Sequence, residues 1–167
     1  MNAKLIVEGK EFDIQIMDPE LQKLIKPPKK TGYERIKTDG EYWFIDTMGV
    51  VRPETESSDI CDKNIYKCAN YYSDITVAEN NARADNLMRQ LRRFAVEHRE
   101  KEFDWNTSEH KWYIGYYYRS NELSVYNCCT MKSVGVIYFD SKATAELAIA
   151  TFRDELTWLF TEYKDSL

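Results

Sequence analysis

Tyr71-Tyr72-Ser73-Asp74, with Ala78-Glu79 behind it, returns 67 residues later as Tyr138-Phe139-Asp140-Ser141, with Ala145-Glu146 behind it. The aromatic runs upstream return as well: Tyr42-Trp43-Phe44-Ile45 is answered by Lys111-Trp112-Tyr113-Ile114, at an offset of 69. In each half, aromatic strand-forming residues lead to a Ser/Asp pair able to accept from the free N–H groups of a helix start. The expectation is an α+β fold: an N-terminal β-hairpin plus short helix, then two repeated ββ(β)α units with antiparallel sheet packed on two long helices.

Working outward, Leu5–Val7 and Phe12–Ile16 flank Glu8-Gly9-Lys10 and read as a hairpin. Asp18-Pro19-Glu20 opens a short helix, and Pro27-Pro28-Lys29-Lys30 ends it. Tyr33–Lys37 and Glu41–Asp46 are expected as strands joined by Thr38-Asp39-Gly40, with Val50–Arg52 continuing the meander. Pro53–Lys63 reads as a turn-rich acidic stretch, Ala69–Tyr72 as a strand, and Ser73 or Asp74 as the cap of a helix to about Glu102. Leu87, Leu91, Phe94, Ala95 and His98 fall on one stripe of that helix; Arg89, Arg92 and Arg93 point away from it. Trp112–Tyr118, Leu123–Tyr126 and Val134–Phe139 repeat the strands, and Asp140 or Ser141 caps a helix to about Tyr163. The expected organisation is 1–30 as an appendage, 31–102 as the first unit and 103–167 as the second, with 31–167 one compact domain.

The chain's 167 residues, 43% hydrophobic and 14% aromatic, suffice for one substantial core. No apolar run approaches the length of a bilayer-spanning helix and no leader-like stretch opens the chain, so a soluble, cytoplasmic protein is expected. Cys61, Cys68, Cys128 and Cys129 read as reduced thiols; with only His98 and His110 beside them, neither a zinc site nor a cofactor is expected. The net charge of −5 is concentrated in residues 31–73 and 103–167, which disfavours nucleic acid and favours basic partners.

No phosphate-cradling glycine loop, no Gly-x-Ser-x-Gly elbow and no His-Glu-x-x-His helix is present, and no catalytic residue is assigned; the protein is expected not to be an enzyme. Nothing in the sequence places His98 or His110 near a cysteine. Two charged features remain, each with a plain reading beside the functional one. The acidic stretch Glu54, Glu56, Asp59 and Asp62 is either a solvated loop or a row of carboxylates imitating phosphates. The set Arg89, Arg92, Arg93 and Arg99 is either a solvated helix face or a contact surface for phosphate. Tyr113, Tyr116, Tyr117, Tyr118 and Tyr126 resemble a base-stacking platform, although strand alternation assigns half of them to a covered face.

Asn70-Tyr71-Tyr72-Ser73 with Ala78 and Glu79, then Leu91-Arg92-Arg93-Phe94-Ala95, resemble segments of a family of small phage and prophage proteins of Gram-positive bacteria. Lys4-Leu5-Ile6-Val7-Glu8-Gly9-Lys10-Glu11, the segment from Pro27 to Arg35 and Gly135-Val136-Ile137-Tyr138-Phe139-Asp140-Ser141 add to the resemblance. Some inhibitors of type II CRISPR nucleases resemble that family. The resemblance implies a phage-derived protein of the host bacterial cytoplasm that binds a guide-loaded effector nuclease and blocks its engagement with DNA. Glu54, Glu56, Asp59 and Asp62 would then occupy the effector's basic DNA-contacting residues by DNA mimicry, flanked by Tyr71 and Tyr72. The alternative is a nucleic-acid-binding phage accessory protein using Arg89, Arg92, Arg93 and Arg99. The oligomeric state is left open.

Overall fold

The computed structural model describes residues 2–7, 10–19 and 30–163, and it divides into two compact units, 1–31 and 32–167. The first holds the expected hairpin: β1 (Asn2–Val7) runs antiparallel to β2 (Lys10–Gln15), with Asn2 opposite Gln15 and Val7 opposite Lys10. The short helix expected after Asp18-Pro19 lies, beyond Pro19, outside the described residues.

The second unit is a mixed α+β body. Its first hairpin pairs β3 (Glu41–Ile45) with β4 (Val51–Thr55), and its second pairs β5 (Lys111–Tyr117) with β6 (Glu122–Cys128), both antiparallel. The helices are α1 (Ile60–Lys67), α2 (Ile75–Glu97), α3 (Lys142–Thr151) and α4 (Arg153–Thr161). None of the described helices is long and apolar enough to cross a membrane.

The repeated aromatics meet their hairpins in the same way in both halves. Trp43 and Tyr72 exchange both backbone hydrogen bonds at 2.9 Å, and Trp112 and Phe139 exchange theirs at 2.9 and 2.7 Å. Ala69–Tyr72 and Val134–Phe139 are therefore single bridges and not the strands expected. Asp74 caps α2 by accepting from Thr76 and Val77 N–H, and Ser141 caps α3 by accepting from Thr144 N–H. Ala78 and Ala145, one turn in, are both wholly buried. Tyr42 and Lys111 also correspond, and both are buried, one a phenol and the other an ammonium.

Several expected elements take a different form. Tyr33–Lys37 is not a strand, because its polar groups bond to side chains: Ile36 N–H donates to Tyr71 Oη and Arg35 reaches Glu56. The Thr38-Asp39-Gly40 turn forms, with Asp39 at φ 69°, but β3 pairs with β4 through the loop closed by Asp46. Asp46 Oδ1 there accepts from both Met48 and Val50 N–H. Pro53, with no N–H to donate, sits mid-strand in β4. The stretch expected to be turn-rich contains the start of α1, written as Asp59-x-x-Asp62: each side chain accepts from the other residue's N–H, a capping box.

The helix α2 stops at Glu97, where His98 caps it and stacks on Phe94 at 3.9 Å; His98 is at the helix end and exposed. The single long helix expected from Ser141 to about Tyr163 is two helices divided at Phe152. Thr151 Oγ1 donates to Leu147 C=O, a bond that bends helices, and the Phe152 ring meets Phe94 edge-on at 5.6 Å.

The core joins α2, α3 and α4 through Leu87, Leu91, Phe94, Ala148, Ile149 and Leu156, with Trp112, Ile114, Leu123 and Val125 of the second hairpin against it. Trp112 and Ile114 share the core-side face of β5, and Tyr113 stacks with Tyr126 on the opposite face. Arg83 of α2 holds Glu155 of α4 through two hydrogen bonds of 2.8 and 2.9 Å and lies over the buried Trp158 ring at 3.9 Å.

Candidate binding surfaces

The acidic stretch is largely an internal structure. Glu56 is 1% exposed: its Oε2 accepts from Arg35 Nε (3.1 Å) and Tyr71 Oη (2.9 Å), and its Oε1 accepts from Arg35 Nη2 (2.8 Å) and Ser58 N–H (2.8 Å). Asp62 is 3% exposed and accepts from Tyr42 Oη, Ser57 N–H and Ser57 Oγ, each at 2.8 Å. Tyr42 and Tyr71 stack at 4.0 Å between these carboxylates, and Tyr66 closes edge-on against Tyr71.

The electrostatics follow from that geometry. The Arg35 ion pair holds the Glu56 carboxyl below the usual carboxylate range, against the opposing effect of burial. Burial also opposes the Asp62 charge, but the Tyr42 and Ser57 hydroxyls and the Ser57 N–H outweigh it and bring the pKa down to about 2. Burial pushes Tyr71 up to about 12, helped by Glu56, and pushes Tyr72 up to about 12.

This corrects the expected partner-binding row. Glu56, Asp62, Tyr71 and Tyr72 are buried, and Glu56 is neutralised by an internal cation, so these four side chains do not present themselves to a partner. Only Glu54 and Asp59 stay exposed, and Asp59 is engaged in capping α1. Arg35, which decides the outcome, carries no signal in the sequence because it lies 21 residues from Glu56.

The arginine set stays outside. Arg89, Arg92 and Arg93 are exposed on α2; Arg89 and Arg92 have no carboxylate partner among the described residues, and Arg93 lies 3.7 Å from Glu97. From Arg89 to Glu102 the chain carries four arginines and Lys101 against Glu97, Glu100 and Glu102, and Arg99 lies 3.3 Å from Glu102. Arg92 and Arg99 turn towards a groove of about 480 Å³ shared with Phe103, Trp105, Lys132 and Tyr138. Trp105 and Lys132 gave no signal in the sequence, being isolated in loops.

The tyrosine platform is divided. Tyr113 and Tyr126 stack on each other, Tyr116 stacks on Phe160, and Tyr118 donates to Phe160 C=O, leaving Tyr117 and Tyr118 exposed. A cysteine and a histidine do approach: Cys129 Sγ and His110 Nδ1 are 3.4 Å apart near the ends of the second hairpin. Neither residue lines the groove just described. Among the described residues no three His, Cys, Asp or Glu side chains are placed to hold a metal ion.

The chain matches no family model. Comparisons with curated proteins and with solved structures likewise give no match.

Proposed function

We propose that this protein is a nucleic-acid-binding phage accessory protein that works by occupancy and catalyses nothing, with Arg89, Arg92, Arg93 and Arg99 as its contact residues. The observation that carries this reading is the contrast between its two charged features: Glu56 and Asp62 of the acidic row are consumed inside the fold, whereas Arg89, Arg92 and Arg93 stand exposed on α2 with Arg99 just beyond its end, and of the four only Arg93 and Arg99 have carboxylate neighbours among the described residues, Glu97 and Glu102. A guanidinium presents a planar fork of donors that matches phosphate oxygens. The net charge of −5 does not oppose local contact, because at physiological salt exposed charges more than about 8 Å away are largely screened. The two halves are further read as copies of one ββα unit, on the strength of the matching Trp–aromatic bridges.

The test is fluorescence anisotropy with labelled oligonucleotides over a salt series. Binding weakens with salt, and the triple variant R89Q/R92Q/R93Q loses it, each arginine lowering the salt slope by about one. No binding at low salt sinks the reading.

A second reading is favoured by the carboxylates that do remain outside. Asp39, Glu41, Glu54 and Asp59 are exposed around the base of the first hairpin, where Glu41 lies opposite Thr55. These would meet the basic channel of a type II CRISPR effector, as the resemblance implies. Cleavage by guide-loaded effectors is then blocked by wild-type protein and restored when Glu41, Glu54 and Asp59 are replaced by glutamine or asparagine. Uninhibited cleavage by several effectors removes it.

A further inference from the structure

The groove between the C-terminal half of α2 and residues 132–138 combines features that no acidic-protein surface needs. Its cations come from three places: Arg92 on α2, Arg99 just beyond it and Lys132 in the loop after β6. Its aromatic surface comes from Phe103, Trp105 and Tyr138, the last edge-on to Trp105 at 5.0 Å, and its apolar wall from Ala95, Val96, Val136 and Ile137. Arg99 lies over the Phe103 ring at 4.6 Å and its Nη1 contacts Glu102 at 3.3 Å, yet its Nε–H is buried with no acceptor. That N–H is shut off from the groove, so what Arg99 can offer a ligand is its Nη groups.

Behind the aromatic wall lies a second, independent oddity. The Lys111 ammonium, 1% exposed, takes only backbone carbonyls as partners, those of Asp104 and Cys129. No carboxylate lies within ion-pair distance among the described residues, and the charge sits 5.3 Å from the centre of the Trp105 ring. A buried cation is poorly screened, and this one adds its field to that of Arg92, Arg99 and Lys132. Lys132 Nζ is 5.7 Å from the same ring. An aromatic wall ringed by cations, one of them buried without a counter-ion, suits a ligand that brings both a π-face and a negative charge.

The geometry points to an unpaired-nucleotide site in this groove: a base against Trp105, with its phosphate between Arg92, Arg99 and Lys132. It rests on the nucleic-acid reading above and names what that reading leaves open, the strandedness of the ligand. A volume of about 480 Å³ is within the range of small-ligand sites and accommodates a single nucleotide; in a duplex the base faces are stacked away.

The test uses the full chain and a labelled oligothymidylate of about a dozen nucleotides, within the ~4–16-nucleotide span such surfaces cover. W105A weakens binding roughly five- to a hundredfold. K132Q, at an exposed position that leaves folding untouched, lowers the salt slope by about 0.7. Three results overturn the proposal: a duplex of equal length bound as tightly as the single strand, K132Q with an unchanged slope, or a folded W105A with unchanged affinity. If R89Q/R93Q loses binding while W105A and K132Q keep it, this inference falls and the nucleic-acid reading stands. If no oligonucleotide binds at low salt, both fall.

Discussion

The Arg35 guanidinium and the Glu56 carboxylate meet at two points, Nε to Oε2 at 3.1 Å and Nη2 to Oε1 at 2.8 Å, across 21 residues of chain. The pair pins the segment before the first hairpin to the segment after it. Tyr71 Oη completes the arrangement from a third segment, so one carboxylate organises three parts of the chain.

Replacing Glu56 by glutamine keeps the shape but removes the charge that Arg35 and Tyr71 address. The expected loss is about 1–3 kcal/mol of unfolding free energy, typical for a broken buried hydrogen-bonded pair. Urea denaturation followed by circular dichroism measures it. An unchanged midpoint means that this network does not hold the first hairpin in place.

Acid should destabilise the fold through the same residues. Glu56 and Asp62 both titrate lower in the folded protein than the ~4 of an unfolded chain. Depressed carboxylates contribute stability that is complete above about pH 5 and lost as the pH falls towards about 2. Urea midpoints from pH 7 down to pH 2 should be flat at first and then fall. D62N should flatten the fall; a slope identical to wild type contradicts the assignment.

At the alkaline end the sign reverses. Tyr71 and Tyr72 are both raised to about 12 by burial, so their contribution is complete below about pH 10 and is lost as the pH rises through 12. Phenolate absorbance gives the check. Tyr72→Phe should leave the native titration up to about pH 11 unchanged while removing one phenol from the titration of the denatured chain. Loss of a phenol from the native curve would place Tyr72 in solvent.

Gly32 is the glycine the fold most requires. Its φ is +88°, and a Cβ there would come within 2.6 Å of Val77 Cγ2. Gly32→Ala should cost about 1–3 kcal/mol, part backbone and part overlap. Adding Val77→Ala should recover the overlap part only. Full recovery in the double variant would show that the backbone conformation carries no cost.

Much of the local structure was legible because it depends on near neighbours. A Ser/Asp cap at each helix start, the β5–β6 hairpin and the Leu87-Leu91-Phe94-Ala95 stripe follow from turn chemistry, capping and period, while the choice of Asp74 over Ser73 and of Ser141 over Asp140 came from the fold. The Asp59-Asp62 capping box is also local, a spacing of three residues within the acidic stretch. The break at Phe152 is not, since it combines the Thr151 back-bond with the position of Phe94 on another helix.

The candidate site divides in the same way. Residue type and spacing established on their own that one stretch is rich in carboxylates and one helix face in arginines. Which set would face solvent was decided only by the tertiary structure. A carboxylate can be buried once a distant cation or hydroxyl reaches it, as Arg35 reaches Glu56 and Tyr42 reaches Asp62. Such partners are brought together by chain folding over tens of residues, and no local pattern records them. The groove of Arg92, Arg99, Trp105 and Lys132 arose likewise, from segments up to 40 residues apart in the chain that only the fold makes neighbours.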